Sequence, residues 1–140
     1  MRKTLMYALP VTLAAGIAAG GAGGSGAQAA SLFPLFPNVE QVRTLQPSGS
    51  SFEQQLAKEY KGLALFEADE MGDWTDADLF AEKGLRASSG QTPTPTDPAE
   101  WDIGSESTAS ELASARGDLV GLLDAGGRTV APTEAAVAQA

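Results

Sequence analysis

From Ser51 onward, apolar side chains recur at helical spacing. Phe52, Leu56, Tyr60, Leu63 and Phe66 fall three or four residues apart, and Ala57 and Ala64 widen the stripe. That is one face of a 3.6-residue period. Ser50 and Glu53 have capping-box spacing, in which the hydroxyl takes the N3 amide and the carboxylate reaches back. A first helix is therefore expected over 51–71, with Gly72 as its C-terminal cap. A second is expected over 75–89, capped by Asp73 or Thr75, with Asp76 and Asp78 in a first turn whose dipole favours negative charge. Its apolar face is Ala77, Phe80, Ala81, Gly84 and Leu85; Glu82 and Arg86 form an i,i+4 pair, and Gly90 ends it. So short a connection makes the two helices an αα-hairpin. Trp74, at the corner, is expected to plug its open end.

A third helix is predicted over 109–125, opened by a Thr108/Glu111 capping box and closed by Gly126-Gly127. Leu112, Ala115, Leu119, Val120 and Leu123 would line its buried face. Between the second and third helices, residues 91–104 form a proline-broken loop. Trp101 in that loop should fold back onto the helices, because an indole left in water forgoes ~2 kcal/mol or more of burial. A fourth helix is expected over 132–140, with Pro132 in its first turn and Glu134 near its positive end. Residues 30–50, interrupted by Pro34, Pro37 and Pro47, read as a Pro/Ser/Gly linker. Its Leu32, Phe33, Leu35 and Phe36 can pack back but are too broken by proline to form a helix.

The expected fold class is thus all-α: a small bundle of antiparallel helical hairpins, three to four helices, over 51–140. Its expected core is Phe52, Leu56, Tyr60, Leu63, Phe66, Trp74, Phe80, Leu85, Trp101, Leu112, Leu119 and Leu123. The chain stops at Ala140 in strong helix formers with neither cap nor polar tail, which suggests that the natural protein continues.

The first 29 residues read differently. Arg2 and Lys3 precede an apolar run from Leu5 to about Ala19, and Ala27-Gln28-Ala29 places small residues where signal peptidase needs them. This is the layout of a secretory signal peptide, cut after Ala29; the run is short for a spanning helix, which needs ~20 apolar residues. Cleavage removes two cations and no acid, taking the net charge from −9 to −11 over the remaining 111 residues. Three literal motif matches in this segment carry nothing. Gly16 and Gly20 form a G-x-x-x-G in an Ala/Gly-rich run. Gly21–Gly26 fits G-x-G-x-x-G without a βαβ unit around it. Leu13–Gly16 begins like a lipobox, but Ile17 stands where the obligatory cysteine would be.

Composition narrows the chemistry. The chain has no cysteine and no histidine, which removes disulfides, thiolate nucleophiles, imidazole bases and the commonest zinc ligands. Its charge repels nucleic-acid phosphates and anionic lipid, so no nucleic-acid partner is expected. Glu67, Asp69, Glu70, Asp73, Asp76, Asp78 and Glu82 crowd sixteen residues. The plain reading is a solvated face with helix-dipole pairing. A calcium loop starting at Asp73 fails, with Ala77 and Asp78 where a ligand and glycine belong. A catalytic carboxylate pair, Asp76 with Asp78, acting on envelope glycans, is the third reading. G-x-S-x-G, S-x-x-K and Walker patterns do not occur after residue 29. No catalytic, cofactor-binding or metal-binding residues are expected.

The run LQPSGSSFEQQLAKEYKGLALFEADEMGDWTDADLFAEKGLRA, Leu45–Ala87, resembles the region after the signal sequence in alphaproteobacterial OmpA-family envelope proteins. The later stretch with Trp101, Glu111-Leu112, Ala115-Arg116 and Ala131–Ala140 resembles them too, so the likeness covers most of 45–140. The resemblance implies an exported, non-enzymatic helical module of the periplasm or outer membrane of a Gram-negative bacterium, with a structural or spacing role. Peptidoglycan would be held by an OmpA-like C-terminal domain that this segment does not contain. The lipoprotein members' cysteine is absent. The alternative is a free-standing periplasmic helical adaptor that binds a protein partner in a groove between hairpins.

Overall fold

The structure is a computed structural model that describes residues 35–140. The expected signal peptide, and Leu32, Phe33 and Pro34 of the linker, lie outside the described residues. Six helices follow in order: α1 (Pro37–Thr44), α2 (Phe52–Phe66), α3 (Trp74–Ser88), α4 (Glu106–Leu122), α5 (Arg128–Val130) and α6 (Pro132–Gln139). No strand occurs among the described residues, so the all-α expectation holds.

The α2–α3 hairpin is the frame. Ser51, not Ser50, caps α2: its hydroxyl accepts from the Gln54 amide at 3.4 Å. Gln54 then bridges outward instead of back, accepting from the Ser48 amide and donating to the Ser88 carbonyl at the end of α3. After Phe66 the helix widens into a π turn, Glu67–Met71. Gly72, at φ 71°, reverses it, and the Gly72 and Asp73 amides both donate to the Glu67 carbonyl. Asp73 caps α3 by accepting from the amides of Thr75 and Asp76. One short corner thus ends one helix and starts the next.

The facing surfaces are aromatic and small in turn. Leu56, Ala57, Tyr60 and Ala64 of α2 are fully buried against Ala77, Phe80, Ala81 and Ala87 of α3. Gly84 lets helices approach closely: a Cβ there would lie 3.4 Å from Tyr60 Cβ and from Val42 Cγ2. Four expected core positions of the hairpin are not fully buried, Leu63 and Trp74 being half-buried. Phe66 is half exposed, because the buried stripe of α2 runs through Leu56, Tyr60, Ala64 and on to Ala68, which leaves Phe66 on its flank. Leu85 is half-buried at the edge of α3.

Val42 belongs to a helix where linker was expected. Pro37 opens α1 at its first turn, where its missing N–H costs no hydrogen bond, and Pro47 lies beyond its end. Val39 and Val42 are fully buried across α2 and α3. Polar contacts hold this helix down. Asn38 donates to Asp78, and Arg43 makes a two-pronged ion pair with Asp69. The Lys61 ammonium donates to the carbonyls of Arg43 and Leu45, groups that a helix C-terminus leaves without partners. Phe36, just before α1, meets Trp74 with ring centroids 5.9 Å apart. Trp74 therefore closes the hairpin corner, as expected, with an aromatic partner from the presumed linker.

At the other end α6 packs on α2, burying Ala135, Ala136 and Gln139. Its first turn carries Pro132 as expected. A second π turn, Leu123–Gly127, with Gly126 at φ 107°, joins α4 to α5 and α6.

Candidate docking cleft beside α4

Residues 91–97 run extended along the bundle. Pro93 and Pro95 are buried. Proline offers no N–H, so the strip needs partners mainly for its carbonyls. Two helices supply them, and a third holds the Thr96 hydroxyl. Gln139 Nε2 donates to the Pro93 carbonyl at 2.6 Å, and Arg116 donates to the carbonyls of Pro95 and Thr96. Lys83 Nζ donates to Thr96 Oγ1 at 2.7 Å while lying 5.5 Å from the Tyr60 ring centre. Burial lowers the Lys83 pKa; Glu100 and Glu82 oppose the shift, and Arg116 and Arg86 add to it.

Asp97 then caps a single 3₁₀ turn, Pro98–Glu100, and delivers Trp101 onto the bundle. Trp101 packs on Phe80 at 6.4 Å, and Phe80 on Tyr60 at 6.3 Å, an aromatic ladder running inward from the loop. The expected return of Trp101 to the helices is correct, with half-burial instead of full.

α4 starts earlier than its sequence suggests: Ser105 is the cap, accepting from the Thr108 amide, and Thr108 lies inside the helix. The larger difference is burial. No α4 residue is buried. Leu112 is 45% exposed and Leu122 68%, while Leu119 rests on the core edge and Leu123, past the helix end, is buried. The periodic apolar face read as core is instead largely open. α4 packs on the 3₁₀ turn and on the π turn that follows it, and is tied to the loop by Arg116.

Clefts flank this helix, one of them lined by Arg116 with Lys83, Arg86, Asp97 and Glu100. One of about 600 Å³ lies between the 97–103 segment and Ala109 and Ala113. One of about 280 Å³ is walled by Thr96, Pro98, Trp101, Ile103 and Leu112, almost wholly apolar. A third, of about 390 Å³, lies between Leu112, Leu119 and the end of α6. The sequence singled out Trp101, Leu112 and Leu119 as core; the structure brings them together as the walls of open clefts.

The acid cluster is dispersed. Asp69 pairs with Arg43, Asp78 accepts from Asn38, Asp73 caps α3, and Glu82 lies 4.0 Å from Arg86. Arg43 holds the Asp69 carboxyl below its ordinary pKa, chiefly through their hydrogen bonds. Asp76 is buried at the α3 N-terminus, and none of the clefts beside α4 is lined by Asp76 or Asp78. Among the described residues, no three ligating side chains come together to hold a metal ion, and no helix is long and apolar enough to cross a membrane. No protein-family profile, curated protein or solved structure matches the chain.

Proposed function

We propose that the chain is a non-enzymatic helical module of an exported OmpA-family envelope protein, and that it works by docking a polypeptide along α4. Contact with peptidoglycan would fall to a C-terminal domain outside this segment. The observation that carries the docking reading is the unpartnered apolar face of α4. Leu112 stays exposed beside clefts walled by Trp101, Ile103 and Leu119, and Leu122 is exposed further along the helix. Exposed apolar surface of this kind beside a rigid frame is what a partner helix covers. The family and envelope location are supported by the residue pattern of 45–87 and by the leader-like first 29 residues.

A photo-reactive side chain at position 112 or 122, in cells that make the protein, tests this. The expected result is a discrete adduct with one polypeptide in the envelope fraction, absent when the probe sits at Glu59 on α2. Equal labelling from all three positions, or a cytoplasmic product, would end the proposal. The intact mass of the native protein separates the two forms of the reading. A mass well above 14.3 kDa fits a module of a longer protein. A mass reduced only by a lost leader fits the free-standing adaptor.

A further inference from the structure

The strip ahead of the 3₁₀ turn has a pattern that the α4 face does not use: Thr92-Pro93-Thr94-Pro95-Thr96. Along an extended chain, alternate residues point to opposite sides. Pro93 and Pro95 are buried, while Thr92 and Thr94 are exposed. Buried prolines are closed to a proline-binding groove, so the strip offers hydroxyls to solvent instead. Their setting is fixed. Gln139 holds the Pro93 carbonyl at 2.6 Å, and Arg116 holds those of Pro95 and Thr96. Each proline locks its own φ and keeps the residue before it out of helix. Thr92 and Thr94 therefore stand on one side, roughly 7 Å apart by the rise of an extended chain. Thr96 differs: it is half-buried, and its Oγ1 accepts from Lys83 Nζ at 2.7 Å. The Thr92 hydroxyl has only a 3.5 Å contact with Glu53, and no hydrogen bond engages the Thr94 hydroxyl among the described residues.

From this display we infer that Thr92 and Thr94 are acceptor sites for O-linked sugar. Threonine interleaved with proline is the composition of O-glycosylated segments. A transferase that takes its acceptor as an extended segment meets one already ordered here, so less ordering entropy is lost on binding. The exposed hydroxyls of Thr108, Ser110 and Ser114 are wound into α4 and lack that backbone. The donor is an activated sugar, a glycosyl phosphate or diphosphate ester. The threonine Oγ bonds to the anomeric carbon, the bond from that carbon to the phosphate oxygen breaks, and the hydroxyl proton leaves with the phosphate. Neither Thr92 nor Thr94 lines the clefts walled by Leu112, so sugars there leave the α4 face open. Modification of the strip and docking at α4 stand independently of each other.

The test is mass spectrometry of the protein isolated from the cells that make it. Trypsin releases the strip in one peptide, Ala87–Arg116, which holds no internal lysine or arginine. The expected peptide is heavier than its sequence by whole sugar residues, and β-elimination should return it to the mass of the sequence less water at each site. Electron-transfer fragmentation should place the sugar on Thr92 and Thr94 and none on Thr96. Thr92→Ala/Thr94→Ala should lose all of the added mass and melt with the parent, while Thr96→Ala should keep it. A peptide at the mass of its sequence overturns the inference. So does added phosphate in place of sugar, or sugar that persists in Thr92→Ala/Thr94→Ala. A form lacking residues 2–29 separates the donors: sugar retained assigns a nucleotide-linked donor inside the cell, and sugar lost assigns a lipid-linked donor met on export. The adduct at position 112 reads docking separately, so either result can fail alone.

Discussion

Substitutions at Gly84 test the seating of α1, the helix least visible in the sequence. Gly84→Ala adds a Cβ at 3.4 Å from Tyr60 Cβ and Val42 Cγ2 and 3.5 Å from the Lys61 amide nitrogen. Those are snug contacts without overlap. Alanine in a helix interior is favoured over glycine by about 0.8–1.0 kcal/mol, and the methyl adds burial at little entropic cost. The variant should therefore gain about 1 kcal/mol, or roughly 4–8 °C in Tm for a domain this size. Gly84→Val places two further methyls where Tyr60, Val42 and the α2 backbone already touch. Overpacking of that kind costs about 1–3 kcal/mol, and the branched side chain forgoes part of the helix-propensity gain. Valine should lower Tm while alanine raises it, read by helical circular dichroism on heating. If α1 were not on α3, valine would lose the Val42 contact, meet only Tyr60 and the α2 backbone, and melt close to alanine. Equal Tm values for the two variants would therefore refute the placement of α1, and a loss above ~1 kcal/mol in alanine would refute the spacing itself.

Two further predictions concern polar groups. The Tyr60 hydroxyl is buried beside Gln139 without a hydrogen bond of good geometry, so Tyr60→Phe should change stability by less than about 1 kcal/mol at neutral pH. Burial raises the Tyr60 pKa above its ordinary 10.0, against the opposing pull of Gln139. Its contribution is therefore complete below pH 10 and is lost as pH rises through the folded value. Lys83, with a lowered pKa, acts with the opposite sign just below its ordinary value and is present in both proteins. Urea melts from neutral to strongly alkaline pH should thus show Tyr60→Phe losing less stability than the parent, and parallel curves would contradict this. Asp73→Ala removes the acceptor for two amides at the start of α3; it should cost about 1 kcal/mol, with Asp73→Asn recovering most of it, and an unchanged midpoint would show that the corner does not depend on this cap.

The hairpin was legible because its signals agree: period, caps and a reversing glycine all point to the same two helices. α1 was not, for a physical reason. Eight residues with only Val39 and Val42 as apolar contacts have too little periodicity to register, and so short a helix is stable only through tertiary contacts. Lys61, Asp69 and Asp78 supply these from elsewhere in the chain. Two of them belong to the acid run, so part of that cluster is a clasp for α1. The one local signal was Pro37 itself, a proline in first-turn position ahead of Glu40 and Gln41. Gln139 was also missed, since a polar residue on an alanine-rich helix gives no hint that it will bond the buried Pro93 carbonyl.

α4 was misread in a more instructive way. Leu112, Leu119 and Leu123 have the spacing of a buried stripe, and periodicity reports that a face is apolar, not what covers it. The helix is weakly held. Gly117 and Gly121 each cost about 1 kcal/mol relative to alanine, and none of its residues is buried. A helix of such composition is marginal by itself. Its second half is anchored by Arg116, Leu119 and Leu123. Its first half lies open over Trp101 and the carboxylates of the 97–103 segment. Covering Leu112 would supply stabilisation that the chain's own packing leaves out. The docking we propose is therefore set at α4 and not at the acid-rich hairpin, whose carboxylates serve α1 and the helix ends.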